Sequence, residues 1–321
     1  MLWLYIFIFI ASCILLYFSG EWVVGGLTRI AKFLGWREFV VAFFMMALAS
    51  SLPNFFVGTS SILHKIPQLS FGDIVGGNVV DLTLAIALAV LFAKNRSGIP
   101  AESKMVQTTS FFVLGAAVLP LLLIVDGVLS QIDGILLIAF FVLYVSWLFS
   151  KKERFTKIYD GNQQFITKQF GIFLKDIGKI LLGIAGLLLA AEGIVNSAKF
   201  FAINLNLPIA LVGILIVGLG NSLPEIYFAI TSAKKGEVWM ILGDLMGAVI
   251  IPATLILGII SLICPIEIAD FSPFAIARIF LIISALFFFF SVKTDHKITK
   301  KEAIFLLLIY FAFIISEIFI S

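Results

Sequence analysis

Apolar residues come in blocks, each near the length of a membrane crossing, with short polar stretches between them. The blocks lie roughly at 2–19, 38–63, 69–93, 107–125, 132–150, 177–198, 208–233, 239–263, 274–292 and 302–320. A hydrocarbon core is crossed by about 20 residues of helix, whereas a barrel strand needs about ten residues of strict alternation. The blocks do not alternate, so the pattern predicts an all-α integral membrane protein with ten transmembrane helices. The longest polar interruption runs from Lys151 to Lys179. It divides the chain into a five-helix unit at 1–150, a linker at 151–176 and a second five-helix unit at 177–321. Residues 1–18 are apolar from the start, with no basic leader and no small-x-small site after them. They read as the first helix and not as a removed signal.

The two units carry the same text. Ser50-Ser51-Leu52-Pro53-Asn54 followed by Gly72-Asp73-Ile74-Val75-Gly76 reappears as Asn221-Ser222-Leu223-Pro224-Glu225 followed by Gly243-Asp244-Leu245-Met246-Gly247. A constant offset of 171, as from Leu52 to Leu223, also pairs Glu21 with Glu192, Val24 with Val195 and Ala31 with Ala202. Register kept over that length marks an internal duplication. An odd number of helices per unit turns the second upside down relative to the first, so the expected architecture is two inverted five-helix repeats.

Charge fixes the expected orientation. On alternate loops, Lys and Arg number 19 on one side and 3 on the other (Lys65, Lys199 and Arg278), of 22 in the chain. The positive-inside bias puts the 151–176 linker in the cytoplasm and both termini outside, with Asp126 and Asp133. The linker reads as a solvated connector. Composition agrees with a membrane solvent: 61% hydrophobic, 13% charged, mean hydropathy +1.15. A soluble domain carries about 25% charged residues. The net charge of +3 carries no nucleic-acid signal. Cys13 and Cys264, in or beside apolar blocks, read as buried thiols, and two histidines, His64 and His296, make no metal cluster.

The duplicated motifs carry the chemistry. A proline deep in a membrane helix removes a backbone donor and frees a carbonyl one turn earlier. Such a carbonyl is tolerated where it lines a cavity. Beside Pro53 and Pro224 stand Ser50, Ser51, Asn221 and Ser222. Carbonyls, hydroxyls and carboxylates together are the oxygen set of hard cations. The Gly-Asp-x-x-Gly segments allow close helix approach and place Asp73 and Asp244 near helix starts, where the dipole favours an acid. Proline kinks and small-residue contacts also occur without any ligand, but two such copies in inverted halves, each with intramembrane acids, point to ions. Glu21 and Glu192 read either as interfacial acids or as gating residues, Glu317 as interfacial, and His64 as an outside loop residue.

Ser222-Leu223-Pro224-Glu225 with Gly243-x-x-x-Gly247 resembles the alpha-repeats of the calcium/cation antiporter superfamily, in particular its prokaryotic sodium/calcium exchangers. The resemblance implies two inverted five-helix halves around central ion sites, in which the acid after proline and a residue 27 positions on dominate. Carried over, these are Asn54, Asp81, Glu225 and Pro252. The first repeat thus has Asn54 where the family has Glu, and Asp81 where it has Asn. Pro252 stands where the family has Asp. Asp73 and Asp244 replace Asn and return charge to the neighbourhood. The implied ligand set is Ser50, Ser51, Asn54, Asp81, Ser222, Glu225, Asp73 and Asp244, with Thr83 and Thr254 as further oxygens.

The expected function is sodium/calcium exchange by alternating access in a prokaryotic plasma membrane. It needs no cofactor and no obligatory protein partner, only inorganic cations and membrane lipid. Three alternatives stay open. One is a proton-coupled antiporter for calcium or another divalent cation, since buried carboxylates also carry protons. Another is a relative that binds cations without transport. The third is an intramembrane aspartyl hydrolase built on Asp73 and Asp244.

Overall fold

The computed structural model describes residues 1–33, 51–94, 98–150, 166–236, 238–268, 272–294 and 296–320. Within these the fold is helical: α1 (Leu2–Phe33), α2 (Leu52–Leu63), α3 (Pro67–Phe92), α4 (Lys104–Leu123), α5 (Gln131–Ser150), α6 (Ile166–Leu205), α7 (Ile209–Lys235), α8 (238–263), α9 (Ser272–Thr294) and α10 (Lys300–Ile320). Among the described residues, nine are long and apolar enough to cross a membrane, α2 being the exception. The block expected at 38–63 is described only from Ser51 onward. Ser50 lies outside the described residues, as do 151–165 of the linker. The remainder of the linker is helical and continuous with α6, which starts at Ile166.

Local features repeat with the sequence offset. Helix α2 starts at Leu52 and the second segment of α7 at Leu223, each with proline in its first turn, where the missing donor costs nothing. The chain then leaves through a left-handed residue, Lys65 at φ 58° and Gly236 at φ 87°. Helices α3 and α8 each contain a widened π-helical turn, Asp81–Ala85 and Pro252–Ile256. Thr83 donates to the Val79 carbonyl in one, and Thr254 to the Ile250 carbonyl at 2.5 Å in the other. Two short antiparallel ladders, which the hydropathy pattern did not signal, join the units. Strand β1 (Ile99–Pro100) pairs with β4 (Lys297–Ile298), and β2 (Val128–Leu129) with β3 (Ile266–Glu267). Ser130 with Asp133 and Thr299 with Glu302 then form matching caps ahead of α5 and α10.

Burial sorts the helices. The spans of α3 and α8 are 83% and 78% enclosed and that of α7 61%, while the remaining spans range from 22% to 44%. Helices α3, α7 and α8, each holding a duplicated motif, therefore form the centre, and the other spans are more exposed. Every residue of α3 from Leu69 to Val80 is buried. Glycines allow α3 and α7 to meet backbone to backbone. A Cβ on Gly72 would stand 2.5 Å from the Ala210 carbonyl, and one on Gly213 would stand 2.6 Å from that of Leu69. A Cβ on Gly76 would fall onto the Ile214 carbonyl.

Helix α1 packs along α6 as a pair. Tyr5 stacks on Phe200 at 3.9 Å at one end, and Arg29 pairs with Asp176 at 2.7 Å at the other, so the two run antiparallel. The cysteines are free and half-buried, more open than expected. Glu317, expected at the interface, is fully buried, because its helical face packs inward rather than ending in headgroups.

Gly76→Ala is expected to destabilise the protein by about 1–3 kcal/mol, the usual cost of overpacking. Gly178→Ala, with open space around its Cβ, is expected to be neutral or slightly stabilising. Thermal unfolding in detergent checks both.

Candidate functional site

The break in α7 is where the chemistry collects. Pro224 has no N–H to give to the carbonyl of Gly220, so the helix stops at Asn221 and restarts at Leu223. Asn221 and Ser222, at 3% and 4% exposure, occupy the discontinuity, and Glu225 follows in the next turn at 6%. Across from them runs α3, brought close by Gly76, Gly77 and Gly218.

Three hydrogen bonds tie the two helices together at this level. The Asn221 carboxamide nitrogen donates to both Asp73 oxygens, each at 2.9 Å. Ser222 Oγ donates to the Gly77 carbonyl at 3.4 Å and lies near Asp81. Asp81 opens the π-helical turn that rests against the post-proline segment of α7 and against α8. The widened turn tilts the α3 carbonyls away from regular pairing, a distortion that recurs at functional sites.

Three acceptor atoms in this cluster have no partner: Asp81 Oδ1, Glu225 Oε2 and Asn221 Oδ1. Buried acceptors without a donor are rare and costly, and a cation resolves the cost. Glu225 lies within electrostatic reach of Asp81, Asp244 and Asp73, and Asp81 within reach of Asp244 and Asp73. Among the described residues, however, no three His, Cys, Asp or Glu side chains converge as a metal cage. Any cation held here must draw on amide, hydroxyl and backbone oxygens as well as the acids.

The structure thus brings together Asp73, Asp81, Ser222 and Glu225. Asp244, half-buried on α8, lies within electrostatic reach of Asp81 and Glu225. Ser51 is buried and Asn54 half-buried on α2, which packs on α3 and meets the Pro252–Ile256 turn. Ser50 is outside the described residues. Asn221 was absent from the expected ligand set, although its place beside Pro224 and opposite Ser50 in the duplication marked it. The Thr83 and Thr254 hydroxyls are taken up by carbonyls in their own helices.

A second polar cluster lies at the far end of α2. Glu192 on α6 accepts from Ser60 at 3.0 Å and Asn196 at 2.8 Å and meets His64 Nε2 at 2.7 Å. Lys199 stands 3.2 Å from the other His64 nitrogen. Its partner in the duplication, Glu21, instead accepts from Tyr17 at 3.1 Å. The duplicated acids therefore have different surroundings.

Residues 4–150 and 175–319 match the family described as sodium/calcium exchanger protein. The chain belongs to that family. Among relatives of this exchanger-family protein, an uncharacterized membrane protein of Methanocaldococcus jannaschii is 28% identical, over 75% of this chain and 76% of its own. The sodium/calcium exchanger MaX1 of Methanosarcina acetivorans is 25% identical, over 94% and 95% respectively. Solved structures of the sodium-calcium exchanger NCX_Mj, one of them soaked with sodium and strontium, superpose with a TM-score of 0.68 at 25% identity. They cover 98% of this chain and 99% of theirs. The protein is a multi-pass cation antiporter of the exchanger family and not an enzyme, which removes the aspartyl hydrolase alternative.

Asn221→Leu would leave the Asp73 carboxylate buried without a donor. It is expected to cost about 3 kcal/mol or more, seen as a large drop in the unfolding temperature in detergent.

Proposed function

We propose that the protein exchanges sodium for calcium by alternating access, through a central site centred on Asp81 and Glu225 between two inverted repeats. The observation that carries this reading is the pair of enclosed carboxylates, each with a partnerless oxygen, one on the proline-broken helix α7 and the other on its neighbour α3. Two carboxylates balance one divalent cation. Calcium takes about six to eight oxygens, so Ser222, Asn221 and backbone carbonyls complete the shell, with Ser50, Ser51, Asn54 and Asp244 as the remaining contributors. The membership of the sodium/calcium exchanger family supports sodium as the counter-ion.

The matched local features at the 171-residue offset support two equivalent units. Five helices per unit invert the second, and the charge bias places both termini outside and the linker in the cytoplasm of a prokaryotic cell. The two halves can then open the site to either side by turns. Pro252 contributes no side-chain oxygen, so α8 supplies none at the position that corresponds to Asp81.

Sodium-preloaded proteoliposomes are expected to take up radiolabelled calcium only with an outward sodium gradient. Glu225→Gln, which removes one charge of a buried set, is expected to weaken uptake about 30-fold or more, the roughly 2–5 kcal/mol of a buried charged partner. Uptake driven by a pH gradient and indifferent to sodium would replace sodium coupling by proton coupling. No calcium uptake under either gradient would contradict the reading. Pro252→Asp, adding a carboxylate at the position symmetric to Asp81, is expected to strengthen calcium binding, measured by competition against labelled calcium.

A further inference from the structure

We infer that Asp73 is not a cation ligand but a positioning residue, which fixes the carboxamide of Asn221 so that its oxygen is presented to the transported cation. The inference rests on the cation-site reading above and assigns these two residues distinct parts in it.

Asp73 is fully enclosed, and both of its oxygens are engaged by one nitrogen, each at 2.9 Å. The Asn221 nitrogen is the atom within reach of both Asp73 oxygens, so the end of the carboxamide that faces the acid is its NH2 group. In a planar carboxamide the oxygen then points away from Asp73. That oxygen is buried and has no donor. Asn221 closes the first segment of α7, one residue before Ser222, which lies near Asp81, and four before Glu225 in the restarted segment. The partnerless Asn221 Oδ1, Asp81 Oδ1 and Glu225 Oε2 are therefore contributed by adjoining stretches of α7 and α3. Without Asp73 the carboxamide is free to turn over and present its NH2 group, which repels a cation.

The arrangement has no counterpart at the symmetric position. The 171-residue offset carries Asp73 to Asp244 but Asn221 to Ser50, and a serine has no carboxamide to orient. The clamp thus makes the two halves of the site chemically unequal.

The test is calcium-dependent thermal shift in detergent together with sodium-driven calcium uptake in proteoliposomes. Both are run on the intact protein and on Asp73→Asn, Asn221→Asp and the double variant that exchanges the two residues. Asp73→Asn is expected to raise the KM for calcium about tenfold with kcat within about twofold, since the amide loses its fixed orientation and not its place. Asn221→Asp sets two carboxylates face to face and is expected to be worse in both stability and KM. The exchanged pair restores one donor facing one carboxylate, and is expected to return KM to within about threefold of the starting protein. An unchanged KM in Asp73→Asn would overturn the inference. So would an exchanged pair that folds normally yet remains as weak as Asp73→Asn, because Asp73 would then act from its own position. If Asp73→Asn does not fold, the exchanged pair alone decides. Starting protein that neither binds nor moves calcium would overturn the functional reading and the inference together, an outcome distinct from normal uptake in all variants.

Discussion

Burying an uncompensated carboxylate in a membrane protein is prohibitively costly, and the whole centre of this fold answers to that constraint. Asp73 is compensated by the Asn221 amide, whose one nitrogen donates to both of its oxygens. Asp81 and Glu225 are compensated only in part, since each keeps one buried oxygen without a partner. A cation is the natural remaining partner for oxygens in such a place. The enclosed acids are thus incomplete by construction, as a site for a passing ion has to be. A fully satisfied network would hold its structure but would have nothing to offer a substrate.

Everything around the acids serves to place them. The stripe of Gly72, Gly76, Gly213 and Gly218 brings two backbones into contact, so residues 148 apart in sequence, Asp73 and Asn221, can hydrogen-bond directly. Pro224 opens α7 where its polar residues are needed, and the π-helical turn at Asp81 does the same in α3 without a proline. Helices α3, α7 and α8 are covered by more lipid-exposed ones. The α1–α6 pair stands beside this core and is joined to α2 by the Glu192, His64 and Ser60 contacts. The same sequence features that look destabilising in isolation, glycine and proline within apolar helices, are those that allow the site to exist.

The all-helical membrane class and the gathering of polar groups on α3 and α7 were legible because each is a local pattern: apolar length, and polar groups in an apolar block. The Asn221–Asp73 clamp was not, since hydropathy says nothing about which motif residue faces which across a helix contact. The two ladders were invisible because two-residue strands carry no alternation. The equivalence of Glu21 and Glu192 held in sequence but not in surroundings, because only Glu192 has His64 and Ser60 opposite it. Glu317 illustrates the limit of reading burial from position, as a residue near a helix end is enclosed when its face turns inward.

The central claim is that a cation sits between Asp81 and Glu225. An anomalous-scattering map from crystals of the protein soaked in strontium tests it most directly. The account predicts a peak within coordination distance of oxygens of Asp81, Glu225 and Asn221, a distance slightly longer than the roughly 2.3–2.6 Å of calcium. A strontium ion bound elsewhere, with these three residues unoccupied at saturating concentration, would contradict it.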